Sequence, residues 1–518
     1  MIQFDYLALL ARLLPETILV LGGLVILFVD QARAPRASLS SRVHFAGFFT
    51  LATCILAIAS MALQTETGSF YRGMLVVTEF TKIAKGCLLI LLAAAVISGL
   101  PARFTDHIGE YVALMLLGGV GLLLLASAEE LLTAFIALEL ASLSLYLLAA
   151  FNKDSATSAE GALKYFLFGS VSAAFTLFGI SLIFGLAGST SFVKIAAVLS
   201  SAPLSPLLIA GLVLTSIGFG FKLAAAPLHL WAPDVYQGAP APSAAFIASG
   251  SKLASLLVFS KVFVIALAPQ AGSAAFAASV SGWMMVIAVL ATVSIVLGNL
   301  LAIAQTNFRR LIAYSAIAHA GYALISVLAA SDRGLASGLF YMFTYGLAVI
   351  GIFAIVGQLE RTQGEMKLQD FAGLSRRSPL LAICLFVFIL SLAGIPPLAG
   401  FFGKFYIFLA ALDAPRPEGG APGLLWLVIL AIAGSAVSLY YYLQVLKQAF
   451  VVEAETTGAP PAPASVPLAA TAILALAVFL LGCFPQILLE PLEAALHAPA
   501  LAAPEFSAIA PDLSAAMK

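Results

Sequence analysis

The sequence predicts an all-α, polytopic membrane protein of about fourteen transmembrane helices. Three observations carry that expectation. Of 518 residues, 62% are hydrophobic and only 10% charged, whereas a soluble domain carries roughly 25% charge. The apolar residues fall into runs of about the 20 needed to cross a bilayer as a helix. Two of those runs are long and interrupted by proline; hydrocarbon tolerates a broken helix only where protein or water satisfies the freed backbone groups. Net charge is zero, which argues against a nucleic-acid partner.

Taken in order, the first segment (1–108) is expected to hold three spans, near 14–31, 43–63 and 79–100. The opening MIQFDYLALLARLLPE lacks a basic region followed by a small-residue cleavage site, so no signal peptide is expected. The second segment (109–268) is expected to hold spans at 109–127, 130–150, 160–187, 206–231 and 243–268. The third (279–450) is expected to hold spans at 279–303, 309–330, 335–360, 378–412 and 423–449. The last segment (451–518) has a connector at 453–466, a span at 466–489 and an Ala/Pro-rich tail. Cys54, Cys87, Cys384 and Cys483 are far apart in apolar runs and form no CxxC; they read as packing residues.

Basic residues set the expected orientation. Connections after odd-numbered spans hold Arg33, Arg36, Arg42, Arg103, Lys153, Arg309, Arg310, Arg361, Lys367, Arg376, Arg377 and Lys447. Those after even-numbered spans hold Arg72, Lys194, Arg333 and Arg416. The bias places the odd connections in the cytoplasm and both termini outside, in the periplasm of a bacterium.

A weak internal repeat is also visible. GALKYFLFGS (161–170) resembles SGLFYMFTYG (337–346), and AAAPLHLWAPD (224–234) resembles GIPPLAGFFGK (394–404), with Pro227 over Pro397. Spans four to eight and nine to thirteen then form two five-helix units. Five is odd, so the second enters from the opposite side, an inverted repeat of the kind that places a transporter site at midplane beside broken helices. The seventh and twelfth spans are the broken ones, at Pro227 and at Pro396–Pro397.

FKLAAAPLHLW (221–231) is the densest signal, because a lysine and a histidine flank a proline inside a span. Pro227 has no N–H to donate, and in a continuous helix its ring meets the carbonyl of residue 223. On such a helix Lys222 and His229 would share a face, about 10 Å apart along the axis, a separation that suits relay through water. The alternative is a packing kink with a snorkelling lysine. Other ionisable groups lie within spans: Glu139 in LLTAFIALELASLSLYLL, Lys164 in GALKYFLFGS, Lys252 in FIASGSKLASLLVF, His319 in AYSAIAHAGYALI and Lys404 in AGFFGKFYIF. Ser249, Gly250 and Ser251 beside Lys252 leave room for water. Each charge at the bilayer centre costs about 2.5–3.5 kcal/mol on insertion scales. A structural Glu139–Lys164 ion pair and a satisfied core His319 are the competing readings. Lys261, Lys82 and Lys85 read as snorkelling residues, and Glu129 and Glu130 as solvated ones.

These groups suit proton transfer. Burial lets a lysine gain and lose a proton near neutral pH, and a carboxylate opposes that effect. Two charges about 7 Å apart at an effective dielectric near 20 interact by about 2.4 kcal/mol, close to the roughly 2.3 kcal/mol needed to move a proton against 100 mV. Moving Glu139 relative to a lysine could thus load or unload it. The chain carries no dinucleotide fingerprint, Walker loop, iron–sulfur run or paired-histidine haem pattern, so its energy is expected from an ion gradient or from partner subunits.

The stretch 221–259, FKLAAAPLHLWAPDVYQGAPAPSAAFIASGSKLASLLVF, closely resembles the signature of the subunit N family of bacterial NADH-quinone oxidoreductase, respiratory complex I. RRLIAYSAIAHAGYALI (309–325) and LSLAGIPPLAGFFGKFYIF (390–408) match the same family, and LLPETILVLGGLVILFVD (13–30) points to subunit N rather than its sisters. The middle motifs are shared with subunits L and M and with multisubunit cation/proton antiporters. The resemblance spans essentially the whole chain. It implies fourteen helices with broken helices seven and twelve, a place in the membrane arm beside antiporter-like subunits, and a part in proton translocation. It implies that NADH, FMN, iron–sulfur clusters and quinone are handled by partner subunits, with no cofactor or metal on this chain. By position, Glu139, Lys164, Lys222, His229, Lys252 and Lys404 look like the family's functional residues of helices five, six, seven, seven, eight and twelve. An Mrp-type or stand-alone cation/proton antiporter subunit is the alternative, and a structural spacer with a vestigial charged axis is the third. The tail after residue 490 has no assigned role.

Overall fold

The computed structural model describes residues 6–99, 104–276, 279–363, 366–414, 423–453 and 465–497. Arg103 and Arg416, most of the connector at 453–466, and the tail from 498 lie outside the described residues. The first helices are α1 (Leu14–Arg33), α2 (Leu39–Ala62), α3 (Glu79–Gly99), α4 (Ile108–Ser127), α5 (Leu131–Ala149) and α6 (Ala156–Ala187). The seventh span is α7 (Pro206–Leu223) followed by the short α8 (Ala232–Gly238), and the eighth is α9 (Ala241–Ala266). The chain continues through α10 (Trp283–Ile303), α11 (Phe308–Leu328), α12 (Asp332–Gln363), α13 (Pro379–Ala393), α14 (Ala399–Leu412) and α15 (Leu425–Phe450), the helices of the expected second unit. α16 (Ser465–Cys483) and α17 (Gln486–His497) close the described chain.

Among the described residues, thirteen helices are long and apolar enough to cross a membrane. The fourteenth expected crossing is the twelfth span, present as α13 and α14, each too short alone. The all-helical expectation needs one small amendment. Between α2 and α3 the strands Gly68–Phe70 and Leu75–Val77 pair antiparallel.

α12 organises the bundle. Its best span window is wholly buried, whereas those of α6, α15 and α16 are one-third buried. A helix apolar on every side is placed in a core, and this one packs against α3, α9, α11, α13, α14 and α16. It therefore touches helices from the N-terminal, middle and C-terminal parts of the chain at once.

The breaks do not fall where proline alone would put them. α7 ends at Leu223, short of Pro227, with Ala224 left-handed at φ 58°. The N–H of Ala225 then bonds the carbonyl of Gly220 at 2.9 Å, and the N–H of Leu228 that of Ala225. At the second break Gly394 is left-handed at φ 84°, the N–H of Ile395 bonds the carbonyl of Leu390 at 3.1 Å, and the N–H of Leu398 that of Ile395. The two ends share one capping pattern, a left-handed residue and then a bond reaching back across the last helical turn, in the register that sets Pro227 over Pro397. The break expected at Pro227 therefore begins earlier, at Ala224. The cap ends the helix before Pro227 can meet the residue-223 carbonyl, and Lys222 and His229 lie on opposite sides of the break.

α9 is irregular in a different way. π-turns at Ile247–Ser251 and Val262–Ala266 flank the α-helical stretch Lys252–Lys261. Such turns insert a residue and re-aim the side chains beyond them.

Candidate functional site

Lys222 lies in the last turn of α7, 4% exposed. Its ammonium donates to the Tyr146 hydroxyl at 3.0 Å, over the rings of Tyr146 (4.9 Å), Tyr165 (5.6 Å) and Phe221 (5.3 Å). The partial negative charge of a helix C-terminus and aromatic faces both favour a cation there. Glu139, two turns before Tyr146 on α5, is the carboxylate that interacts electrostatically with Lys222. It is half-buried, and its Oε1 has no hydrogen-bond partner among the described residues.

From Lys222 a file of phenols leads into the second unit. Tyr146 meets Tyr165 edge-on with ring centres 4.7 Å apart, and Tyr165 stacks on Trp231 at 4.2 Å. Tyr236 meets Phe353 of α12 with ring centres 5.9 Å apart, and Tyr345 lies on the same helix. The hydroxyls of Tyr165, Tyr236 and Tyr345 are buried without a hydrogen-bond partner among the described residues, the condition that ordered water normally relieves. Lys252, fully buried on α9, donates to the Ala316 carbonyl at 2.9 Å and lies 5.9 Å from the Tyr236 ring. Its small neighbours Ser249, Gly250 and Ser251 belong to the π-turn before it.

His319 on α11 is central to the second unit. Nδ1 is 2.6 Å from the Tyr341 hydroxyl and Nε2 3.1 Å from that of Tyr442, and its ring lies 4.9 Å from that of Tyr345. It is therefore hydrogen-bonded on both nitrogens, an arrangement that a satisfied core histidine and a relay histidine share. Lys404, on α14, reaches back to the end of α13. It donates to the carbonyls of Leu392 (3.0 Å) and Ala393 (3.2 Å) and to Ser435 Oγ (2.8 Å), with the Tyr322 ring 5.0 Å away. The Pro396–Pro397 break thus exposes helix-end carbonyls, and a lysine takes them. At the first break Trp231 Nε1 takes the Phe221 carbonyl at 3.0 Å, and Ser294 Oγ accepts the Ala226 N–H at 2.8 Å.

Two predicted residues lie elsewhere. His229 is buried beyond the break with its ring 6.4 Å from that of Tyr314, and no hydrogen bond joins it to Lys222 among the described residues. Lys164 does not pair with Glu139. It binds Glu160 at 2.6 Å and Asp234 at 2.7 Å, with 37% of its side chain exposed. Asp234, on α8 and outside the spanning helices, also takes Arg310 Nη1 at 2.6 Å. Burial raises the carboxyl's pKa, but hydrogen bonds from Lys164 and Arg310 outweigh it and hold the group below the ordinary aspartate value. Arg309 pairs with Glu360 and donates to the Ala239 carbonyl at 2.6 Å, tying the turn after α8 to α12.

Several residues that read as peripheral in the sequence are instead buried. Lys85 is 3% exposed and pairs with Glu16 at 2.7 Å. Lys261 is 4% exposed, donates to the Ala126 carbonyl at 2.9 Å and lies 3.5 Å from Glu129. Glu130, 8% exposed, caps α5 through the Thr133 N–H at 2.6 Å. Lys82 meets the snorkelling expectation, bonding Glu79 at 2.9 Å and the Gln64 carbonyl at 2.7 Å. For Lys85 and Lys261 a partner distant in sequence compensates burial. Among the described residues no cluster of His, Cys, Asp or Glu could hold a metal ion.

Sequence reasoning missed the tyrosines, Asn299 and Ser435. Tyr146, seven residues after Glu139 and so on the same face, is the one whose spacing could have marked it. An axis of protonatable groups and hydroxyls, without metal ligands or a nucleophile–base pair, is suited to moving protons.

Residues 128–418 match the family model described as NADH:quinone oxidoreductase/Mrp antiporter, transmembrane. NADH-quinone oxidoreductase subunit N 2 of Acidobacterium capsulatum is 48% identical over 495 residues, covering 94% of this chain and 99% of that protein. A chain in the structure of respiratory complex I from Thermus thermophilus with bound aureothin superposes with TM-score 0.75 at 32% identity, covering 93% of this chain and 100% of that one. A chain of the Mrp complex from a Dietzia species gives TM-score 0.75 at 19% identity over 93% of this chain and 97% of that one, a likeness of fold.

Proposed function

Because this chain belongs to the subunit N family of NADH-quinone oxidoreductase, we propose that it carries protons along the axis Glu139, Lys222, Lys252, His319 and Lys404. The protein is a multi-pass membrane-arm subunit of that proton-pumping complex, beside other membrane subunits. Electron transfer from NADH to quinone, with its FMN and iron–sulfur clusters, belongs to the partner subunits. The bacterial inner membrane, with both termini in the periplasm, is the location the basic connections support.

The observation that carries the reading is the set of buried lysines without buried carboxylate partners. Lys252 and Lys404 are held by carbonyls and a hydroxyl, and Lys222 by a phenol with one carboxylate nearby. Such an ammonium has no ion pair to lock its proton in place. Glu139 tunes the first site: its approach holds the proton on Lys222, and its withdrawal or neutralisation releases it. The released proton passes through water between the hydroxyls of Tyr165, Tyr236 and Tyr345, toward Lys252 and His319. His319 accepts on one nitrogen while holding its other N–H. Lys404 is the last carrier, and the α13 carbonyls stabilise it when charged. Lys164 supports the axis from its cytoplasmic edge, and His229 serves at the break beside Tyr314. The two five-helix units, 109–268 and 279–450, are on this reading inverted copies meeting at α12, flanked by 1–108 and 451–518.

Lys222→Ala in the assembled complex tests the relay. With inverted membrane vesicles, NADH-driven quinone reduction and proton uptake are recorded together. Both are expected to fall by about 100-fold or more, the usual worth of a positioned proton carrier. Unchanged turnover with unchanged protons per electron would leave the axis a structural spacer.

A further inference from the structure

A pocket of about 210 Å³ lies between the ends of α10, α11 and α15, lined by Gln305, Leu311, Tyr440, Tyr441, Gln444 and Gln448. None of the relay residues touches it. Gln305 is in the α10–α11 connection and Gln448 adjoins Lys447 in the last turn of α15, so it opens at the face bearing the basic connections. Tyr441, Gln444 and Gln448 are three and four residues apart and share one helix face. Three amides and two phenols in so apolar a chain are costly unless hydrated or bonded, and the volume has room for several waters.

The inner wall of the pocket is Tyr441, which is 2% exposed. Its hydroxyl donates to Asn299 Oδ1 at 3.0 Å, and Asn299 Nδ2 donates to the Tyr322 hydroxyl at 3.0 Å. The Tyr441 and Tyr442 rings lie 4.5 Å apart. Tyr442 in turn meets His319 Nε2 at 3.1 Å and Ser315 Oγ. Hydroxyl, hydroxyl and imidazole therefore succeed one another from the pocket to the middle of the second unit.

We propose that this pocket is a second water-filled proton inlet, serving the second unit through Tyr441 and Tyr442 to His319, independently of Lys222. It rests on the relay reading above. A hydronium in the pocket gives its proton to the Tyr441 oxygen, whose own proton turns from Asn299 Oδ1 to the Tyr442 oxygen as the Tyr442 proton passes to His319 Nε2. Both phenols end neutral, the imidazole becomes imidazolium with its other N–H directed at Tyr341, and no electron moves. Hydroxyl rotation resets the file. Asn299 does not conduct; it positions the Tyr441 hydroxyl. Arg310, whose Nε lies 3.4 Å from Gln305 Oε1, is paired with Asp234 and so does not present a bare positive charge at the mouth.

The test uses the intact complex in inverted vesicles, with Tyr441→Phe, Leu311→Trp to fill the pocket, and Lys404→Ala as the reference for the relay. Proton uptake and quinone reduction are measured in each assembled variant. Tyr441→Phe and Leu311→Trp are each expected to slow proton-coupled turnover by about tenfold or more, Tyr441→Phe also losing most of the solvent deuterium isotope effect. If Leu311→Trp does not assemble, Gln448→Cys treated with a membrane-impermeant thiol reagent replaces it, with the same expected inhibition. Normal rates in the inlet variants with a failed Lys404→Ala would overturn the inlet and leave the relay standing. Normal rates in all three would overturn both.

Discussion

The lysines of this chain differ in what holds them, and the proposed relay rests on that difference. Lys85 and Glu16 are 3% and 5% exposed at 2.7 Å, a buried ion pair. Lys222, Lys252 and Lys404 have only phenols, carbonyls and a serine as hydrogen-bond acceptors. Removing one member of a closed pair strands the other charge, at about 3–5 kcal/mol, whereas replacing both by apolar residues is often neutral. Glu16→Ala is therefore expected to lower the thermal-inactivation temperature of the complex, and the double variant Glu16→Leu with Lys85→Met to restore it. Equal losses in both would mean that the pair contributes through packing alone. Lys222, Lys252 and Lys404 were legible in the sequence because a charge in an apolar run is conspicuous whatever surrounds it. Their acceptors were not. A tyrosine fits a span as packing or as a hydroxyl, and the carbonyls of Ala316, Leu392 and Ala393 belong to segments 64, 12 and 11 residues away. For the same reason Lys85 and Lys261 looked peripheral, since their compensation comes from Glu16 and from Ala126 with Glu129.

At the scale of elements, the breaks were legible from proline but their positions were not. The cap at Ala224 ends α7 before Pro227 is reached. Beyond the break, α8 is only seven residues long and needs tertiary support. Asp234 supplies much of it by joining Lys164 of α6 to Arg310 of α11, so a segment of the first unit is fastened to the second. Asp234→Asn keeps the shape and removes the charge. Charge-assisted bonds contribute about 1.5–3 kcal/mol; with a quarter of the side chain exposed, about 1–2 kcal/mol is the reasonable share. Amide exchange across residues 232–238 is expected to quicken about tenfold, while unchanged exchange would mean that apolar contacts hold α8 alone. The pH sense comes from the lowered carboxyl. Its contribution is complete above the ordinary aspartate pKa and is lost as pH falls through the lower folded value, so α8 in the native chain should stay docked until the medium is more acidic than pH about 4.

Across the whole molecule, direction of transport depends on which face holds the basic connections. The pocket beside Gln305 and the Asp234 cluster open on that face, so its side decides whether they take protons up or let them go. The basic excess is the argument for a cytoplasmic face, and two exposed lysines test it: Lys153 between α5 and α6, and Lys194 on the helix Phe192–Leu199 between α6 and α7. One transmembrane helix, α6, separates them, so they must emerge on opposite sides. In a Cys483→Ser background, which removes the exposed native thiol while Cys54, Cys87 and Cys384 are buried, an impermeant maleimide should label Lys153→Cys only in inverted vesicles and Lys194→Cys only in right-side-out ones. The reverse pattern would make the pocket a periplasmic outlet, and His319 would then pass protons outward through Tyr442 and Tyr441 by the same hydroxyl file run backwards. Labelling of both positions from one side would instead mean that α6 does not span, and the count of fourteen crossings would fall with it.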